Sequence, residues 1–398
     1  MVTANPNPLS EIAPTSTEPH TSVLVFLPAM PAEQVEAVLV NLANSFEVGD
    51  LLIAAPEGSA NDAHPNLRTV IAPPSKAAVT LTASDFVNAY QLAEKNNARA
   101  VLMLGQECSS LDSSALRKLA DSVLEGQSDL AIPCYDLPPR AGLVNSAILY
   151  PLTRALFASR TRFPLAIDLG LSLRMSERMA AAGQRFTSLN DGESPLWPVN
   201  EAVVAGFTIT EVDVGTRTLP QPTDPDINAI LASVTGSLFA DFDAKAAFWQ
   251  RARQFPRARN PVSNAQSIDP HVVIGPMLDA FQLAYTNLQE IWSLVLPPNS
   301  LLGVKRLSQV SATNFRMPDS LWARIVFDFL LAYRVRTINR GHLLGALIPL
   351  YLAWVASHFN ITASGTDAER HIEAVAAAFE ADKPYLVARW RWPDRFNP

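Results

Sequence analysis

The apolar run Val101-Leu-Met-Leu104 ends at Gly105-Gln106-Glu107, the place in the chain where residue type and position best suit chemistry. A carboxylate in a loop at the end of a buried strand stands at the mouth of a sheet. There it can hold a divalent cation against a diphosphate, and the cation neutralises charge on a departing group as a Lewis acid. Two acidic residues one apart would make the stronger case. The first of those positions is Gly105, so Glu107 has two readings, a metal-holding carboxylate or a solvated loop acid.

Other site chemistries lack their residues. No G-x-G-x-x-G follows the first strand and no G-x-x-x-x-G-K-[ST] occurs, which disfavours dinucleotide and P-loop binding. There is no H-E-x-x-H, and Arg370-His-Ile-Glu373 reads as a solvated helical face. Six histidines are scattered along the chain and no G-x-S-x-G elbow is present, so a serine hydrolase has no support. Cys108 and Cys134 make neither a disulfide framework nor a zinc motif, which fits a reducing, cytoplasmic setting.

The elements that must position Glu107 follow from patterning. Ser22–Leu27, Asp50–Ala55, Arg68–Ala72, Ala98–Leu104 and Asp129–Ile132 read as strands. Helices alternate with them: one starts near Pro31 with Val35, Val38, Leu39, Leu42 and Phe46 on its apolar face, one covers Phe86–Lys95, and one is capped by Asp112. This order predicts an α/β fold with a largely parallel sheet and ligands beyond the carboxyl ends of its strands. Pro151–Ala182 reads as helix-rich, with a helix from Leu169, and Phe207–Val214 as a strand. Beyond the Pro-rich connector Leu219–Pro225 the chain is almost all helix. Leu321, Ile325, Phe329 and Tyr333 form one stripe there, with Arg324 and Asp328 as an exposed pair. The expected division is a disordered lead-in (1–20), an α/β unit (21–225) and a helical unit (226–398), the last offering a surface for self-association.

The 398 residues are 17% charged and 48% hydrophobic, with 16 Gly, 31 Pro and a formal net charge of −7. This excludes a disordered chain, a collagen-like chain and a typical nucleic-acid binder. Met1–His20 lacks the basic and apolar regions of a signal peptide. Leu343–Ala356, the most apolar stretch, is shorter than the ~20 residues of a membrane span and contains Pro349, so it reads as a buried helix.

Three stretches carry a family resemblance: Asn145–Phe157, Phe163–Ser172, and Met317–Trp322 through Ile338–His342 to Pro349–Tyr351. Over roughly residues 22 to 359 the chain resembles GT-A glycosyltransferases of the family 2-like and mannosylglycerate-synthase-like group. The resemblance implies a Rossmann-like nucleotide-sugar-binding domain followed by a helical domain. It further implies transfer of a sugar from a nucleoside-diphosphate donor to a small hydroxylated acceptor, with a divalent metal (Mg or Mn) as cofactor. The group's Asp-x-Asp falls on Gly105-Gln106-Glu107, its Gly-x-Asp-x-Trp on Ser194–Trp197 with Pro195 at the Asp position, and its late His within Val214–Pro220, which has none. Pro28, Glu57 and Glu107 are then the nucleotide-side residues, with Glu107 also the metal ligand; Glu57 equally suits a turn acid. Asp168 and Glu193, or Asp191 beside it, fall on the acceptor side as catalytic candidates, and Asp168 equally suits a helix cap. The altered motifs leave a second reading, a catalytically inactive relative that keeps the fold as a binding or scaffolding subunit.

Overall fold

The computed structural model describes residues 21–28, 30, 32–47, 49–57, 66–75, 80–189, 191–219, 227–252 and 274–392. The expected lead-in, Pro31 and most of the Pro-rich connector lie outside these residues.

Seven strands form one sheet: β1 (Val23–Phe26), β2 (Leu51–Ala55), β3 (Arg68–Ile71), β4 (Ala100–Met103), β5 (Leu130–Asp136), β6 (Leu169–Ser172) and β7 (Ile209–Thr216). The spatial order is β3-β2-β1-β4-β6-β5-β7. All neighbours are parallel except β6, which runs against both β4 and β5. The inner strands β1, β2 and β4 are buried along their whole length, which is why they read as continuous apolar runs.

Helices cover both faces. On one, α1 (Ala32–Ser45) and α3 (Ser113–Leu124) bury Val35, Leu39, Leu116 and Leu119 against alternate strand residues such as Val25 and Leu102. The other face carries α2 (Ala83–Lys95), and, after α4 (Tyr150–Phe157), also α5 (Leu173–Thr187) and α6 (Pro198–Ala205). The caps are local chemistry. Asp112 accepts from the Ala115 amide as expected, and α2 starts earlier than the apolar pattern suggests because Thr82 and Asp85 form a capping box.

Residues 169–172 depart from expectation, forming strand β6 instead of the first turn of a helix. Asp168 is therefore not a helix cap. Ser172 takes that role, its hydroxyl accepting from the Met175 amide at 3.3 Å. A four-residue apolar run that feeds directly into a helix has no periodicity of its own to betray the strand.

The helical part comprises α7 (Ile227–Ala244), α8 (Ala246–Trp249), α9 (Gly275–Asn287), α10 (Gln289–Val295), α11 (Pro298–Leu307), α12 (Asp319–Val335), α13 (Arg340–Ala363) and α14 (Ala368–Arg391). Its core also takes in Ala147–Phe157 and Trp197 from the earlier half of the chain. Arg154 grips Glu380 through two 3.0 Å bonds and Glu373 at 2.5 Å, pinning α4 to α14. The apolar stretch around Pro349 belongs to a 24-residue helix, longer than the sequence suggests. That helix is long and apolar enough to cross a membrane by composition, yet 67% of its apolar window is buried among its neighbours.

In two polar segments expected on the surface, Asp328 and His371 are buried, whereas Arg324 and Arg370 are exposed as expected. Asp328 is buried and bonds Arg389 and Tyr385, while Arg324 pairs with Asp382. His371 and Glu373 are likewise not a solvated face: Glu373 binds Arg154 and Tyr150, and His371 meets His358 across 2.7 Å between their Nδ1 atoms. His371 also lies 3.3 Å from Asp319, and the two imidazoles stack on Trp354.

Burial, then the neighbouring His371 and Arg162, pull the His358 imidazole down from its ordinary 6.5 to about 3, against a smaller upward pull from the Pro139 carbonyl. As pH falls below about 6.5 the unfolded chain takes up a proton that folded His358 refuses, so stability is lost on acidification by at most about 1.4 kcal/mol per pH unit. Urea denaturation between pH 6.5 and 4.5 should show a steeper loss in the wild type than in His358→Gln, by up to about 2–3 kcal/mol over the range.

Candidate functional site

The sheet reverses its winding between β1 and β4, so the crevice beyond their carboxyl ends is where a doubly wound sheet places a ligand. Pro28 lies buried just past β1, and Gly105, Gln106 and Glu107 follow β4. The Leu104 amide donates to the Phe26 carbonyl at 3.1 Å and keeps the two exits together. Glu107 adopts a left-handed backbone with φ 62°, a conformation costing a non-glycine residue about 1–2 kcal/mol. Reciprocal bonds to Gln34, in the first turn of α1, hold it there. The Gln34 amide donates to the Glu107 carboxylate at 2.6 Å, and the Glu107 amide donates to Gln34 Oε1 at 3.2 Å.

Beside this loop, Asp168 forms the centre of a buried cluster. Its Oδ1 accepts from the Gly105 amide at 3.0 Å and from Arg217 Nη2 at 3.1 Å; its Oδ2 accepts from the Tyr135 hydroxyl at 2.7 Å and from Arg217 Nε at 2.9 Å. Both side chains of the ion pair are 0% exposed. Arg217 also donates to the Gln106 carbonyl at 2.7 Å and the Thr218 carbonyl at 2.6 Å. Ser110 completes the knot, donating to the Glu107 carbonyl and accepting from the Thr218 amide. Burial opposes the Arg217 charge, but the adjacent Asp168 outweighs it and holds the guanidinium pKa above its ordinary value. Burial, reinforced by Asp168, likewise pushes the Tyr135 phenol and the Cys108 thiol up, so both stay neutral.

Arg217 enters through a bulge. In the β5–β7 pair, Cys134 faces Asp213 but Tyr135 faces Gly215, leaving Val214 as an extra residue. Gly215 accommodates the kink with φ 69°. The extra residue reverses the in-out alternation, so the buried positions run Val212, Val214 and then Arg217. The resemblance leads one to expect a histidine in this segment; the side chain that reaches the cluster is Arg217. The available signal was Gly-Thr-Arg at the end of a strand, where a glycine bulge can change the phase.

Gly105 has a steric reason. A Cβ there would lie 2.9 Å from the Ile167 carbonyl oxygen and 3.2 Å from its Cγ2. The close passage of the 163–168 segment, fastened by Asp168, leaves no room for an acid at this position.

The remaining candidates are spread along the same edge. Glu57 is exposed in the turn after β2. The 191–197 segment acts as a strap at the start of α2: the Ser84 and Ala83 amides donate to the Gly192 and Ser194 carbonyls, and the Ser237 hydroxyl donates to the Pro195 carbonyl. Asp191 accepts from the Ser194 hydroxyl at 2.7 Å, and Glu193 is exposed beside it. Trp197 donates to Ser237 at 3.0 Å, joining the strap to α7.

Among the described residues, no group of three His, Cys, Asp or Glu side chains is placed to hold a metal ion. The Asp168 oxygens are spent on four donors, which among the described residues leaves Glu107 as the carboxylate in the loop after β4. One carboxylate suits a cation that arrives with a diphosphate, since Mg²⁺ is commonly held by one or two carboxylates plus substrate phosphates.

No protein-family model matches the chain, and no curated protein matches it. Among solved structures it is similar to glucosyl-3-phosphoglycerate synthase from Mycobacterium tuberculosis. The complex of that protein with Mn²⁺, UDP and glucosyl-3-phosphoglycerate aligns at 15% identity and TM-score 0.37, over 56% of this chain and 80% of that one. Its complex with Mn²⁺ and UDP-glucose gives 15% and 0.37 over 56% and 79%, and its complex with Mg²⁺ and UDP gives 14% and 0.37 over the same shares.

Arg217→Met should strand the Asp168 carboxylate in the interior and cost about 3–5 kcal/mol of unfolding free energy. Tyr135→Phe, which removes one bond to the same carboxylate, should cost about 1.5–3 kcal/mol. Chemical denaturation of the two variants beside wild type checks the order. Gly105→Ala should cost about 1–3 kcal/mol by overpacking against Ile167, read from the same curves.

Proposed function

We propose that the chain is a glycosyltransferase that moves a sugar from a nucleoside-diphosphate donor to a small hydroxylated acceptor. The observation that carries this reading is the crevice at the β1/β4 winding reversal, flanked by Pro28 and the Gly105–Glu107 loop and held in shape by the Gln34–Glu107 bonds. The resemblance of residues 145–172 and 317–351 to GT-A enzymes supports it. Fold alone does not set chemistry, so the assignment stands on this site.

In this reading the diphosphate occupies the crevice, with Glu57 toward the nucleoside and Glu107 at the phosphates. Glu107 would hold a divalent cation delivered with the donor, which when bound neutralises charge on the leaving nucleoside diphosphate. Asp168 acts as a positioning residue. Its carboxylate fixes the Gly105 amide and the Arg217 guanidinium, and through them the loop that carries Glu107. Glu193, exposed on the strap, is assigned to the acceptor side as the group that takes the acceptor proton.

Titration with UDP-, GDP- and ADP-sugars, with and without Mg²⁺ or Mn²⁺, is the test. At least one donor should bind in a metal-dependent manner, and Glu107→Ala should weaken it at least tenfold. Glu193→Gln should lower turnover while leaving donor affinity within twofold. Absence of binding by every donor would overturn the reading. Donor binding without turnover would favour the inactive scaffold, in which the Asp168–Arg217 pair has displaced the catalytic chemistry.

A further inference from the structure

The helical part gathers positive charge at one end. Arg334, in the last turn of α12, donates to the Trp390 carbonyl at 2.7 Å and lies 4.3 Å over the Trp390 ring, so the C-terminal ends of α12 and α14 meet. The end of α8 joins them. Trp249 meets the Trp390 ring edge-on at 4.9 Å, and Gln250 accepts from Arg391 Nε at 3.2 Å. α13 starts here too, with Arg340 in its first turn and the guanidinium 4.0 Å over the Tyr333 ring.

Arg251, Arg336 and Arg391 are exposed at this end, and Arg340 is half-buried. Among the described residues no acid is ion-paired with any of the four; Asp243 answers the neighbouring Arg334 at 3.6 Å. Helix dipoles explain part of this charge. Arg391 in the last turn of α14 and Arg336 just past α12 complement the negative ends of their helices. Arg340 does the opposite, adding a cation to the positive end of α13, whose first turn holds no acid. A chain of formal net charge −7 has thus segregated cations on one surface.

Apolar groups project among them. Val335 is 49% exposed and Trp392 62%, while the other six tryptophans are at most 3% exposed. Arginines around an exposed indole suit the boundary of a bilayer, where the indole sits at headgroup level and the guanidinium groups stay with the phosphates. A polyanion without an apolar layer, such as a DNA duplex, would use the arginines and leave Val335 and Trp392 in water.

We propose that this end of the helical part docks on the surface of a bilayer containing anionic lipid, with Arg251, Arg336, Arg340 and Arg391 against the headgroups and Trp392 and Val335 at the acyl boundary. Such docking is independent of the glycosyltransferase reading. Each cation near an anionic surface adds about fivefold to partitioning, and salt screens the gain.

Flotation of the full chain with vesicles of phosphatidylcholine, alone or mixed with phosphatidylglycerol, tests this. The chain should bind the anionic vesicles at least tenfold more tightly than the neutral ones, and raising NaCl from about 0.1 M to about 1 M should remove the difference. Arg336→Gly, which suits the left-handed φ of 58° at that residue, and Arg391→Gln should each weaken binding about fivefold, with circular dichroism and Tm confirming that the variants fold. Brominated lipid in the anionic vesicles should quench tryptophan emission in the wild type and not in Trp392→Ala. Equal binding to both vesicles, binding to neither, unchanged binding in both folded arginine variants, or no quenching in the wild type would overturn the proposal. Binding of a DNA duplex without binding of vesicles would overturn it in favour of a nucleic-acid surface. Displacement from the vesicles by inorganic phosphate at matched ionic strength would overturn it in favour of a site for free phosphate.

Discussion

The mouth of the sheet depends on one buried ion pair, Asp168 with Arg217. Taking both charges out of water costs several kcal/mol per ion, and their attraction offsets this only where the remaining lone pairs and protons are also satisfied. That condition dictates the surroundings. The Gly105 amide and the Tyr135 hydroxyl must complete the carboxylate, and the Gln106 and Thr218 carbonyls must complete the guanidinium. Three separate loops, after β4, before β6 and after β7, are thereby held in one arrangement. Loops are ordinarily the variable part of an α/β fold, and here electrostatics makes them a rigid floor.

Much of the scaffold was legible because its signals are local. The buried parallel strands announce themselves as apolar runs, and the helices by their periodicity and by caps such as Asp112. The errors fall where long-range partners override local pattern. Residues 169–172 pair with β4 and β5 from sites about 70 and 40 positions earlier in sequence, and nothing in four residues reveals that. Asp328 looks like half of an exposed helical pair until α14 brings Arg389 against it. His358 and His371 look unrelated until the turn between α13 and α14 folds them together. At the site, Glu107 was legible as an acid past a strand end and Asp168 through the family resemblance, but the arginine that governs Asp168 was not, because a bulge changed the phase of its strand.

The helical part is more than an appendage. Residues 145–157 contribute to its core, the Trp322 indole donates to the Ala147 carbonyl at 2.8 Å, and Arg154 and Arg162 reach across to acids of α14. The same arginines pass over Tyr150, so charge, ring and carboxylate are stacked into one contact. The contacts run on from there: Glu369 of α14 holds Arg162, Arg162 lies over the Phe163 ring, and Phe163 meets edge-on the Tyr135 ring whose hydroxyl bonds Asp168.

Gly105 joins two loops by contact rather than by charge. With the Ile167 carbonyl lying where a side chain would begin, no larger residue fits at position 105 without displacing the 163–168 segment. That segment is fastened by Asp168, which Arg217 in turn holds. Crowding at position 105 thus ties the composition of one loop to the packing of another: a larger side chain there has to move the 163–168 segment, and with it the carboxylate that Arg217 and Tyr135 hold.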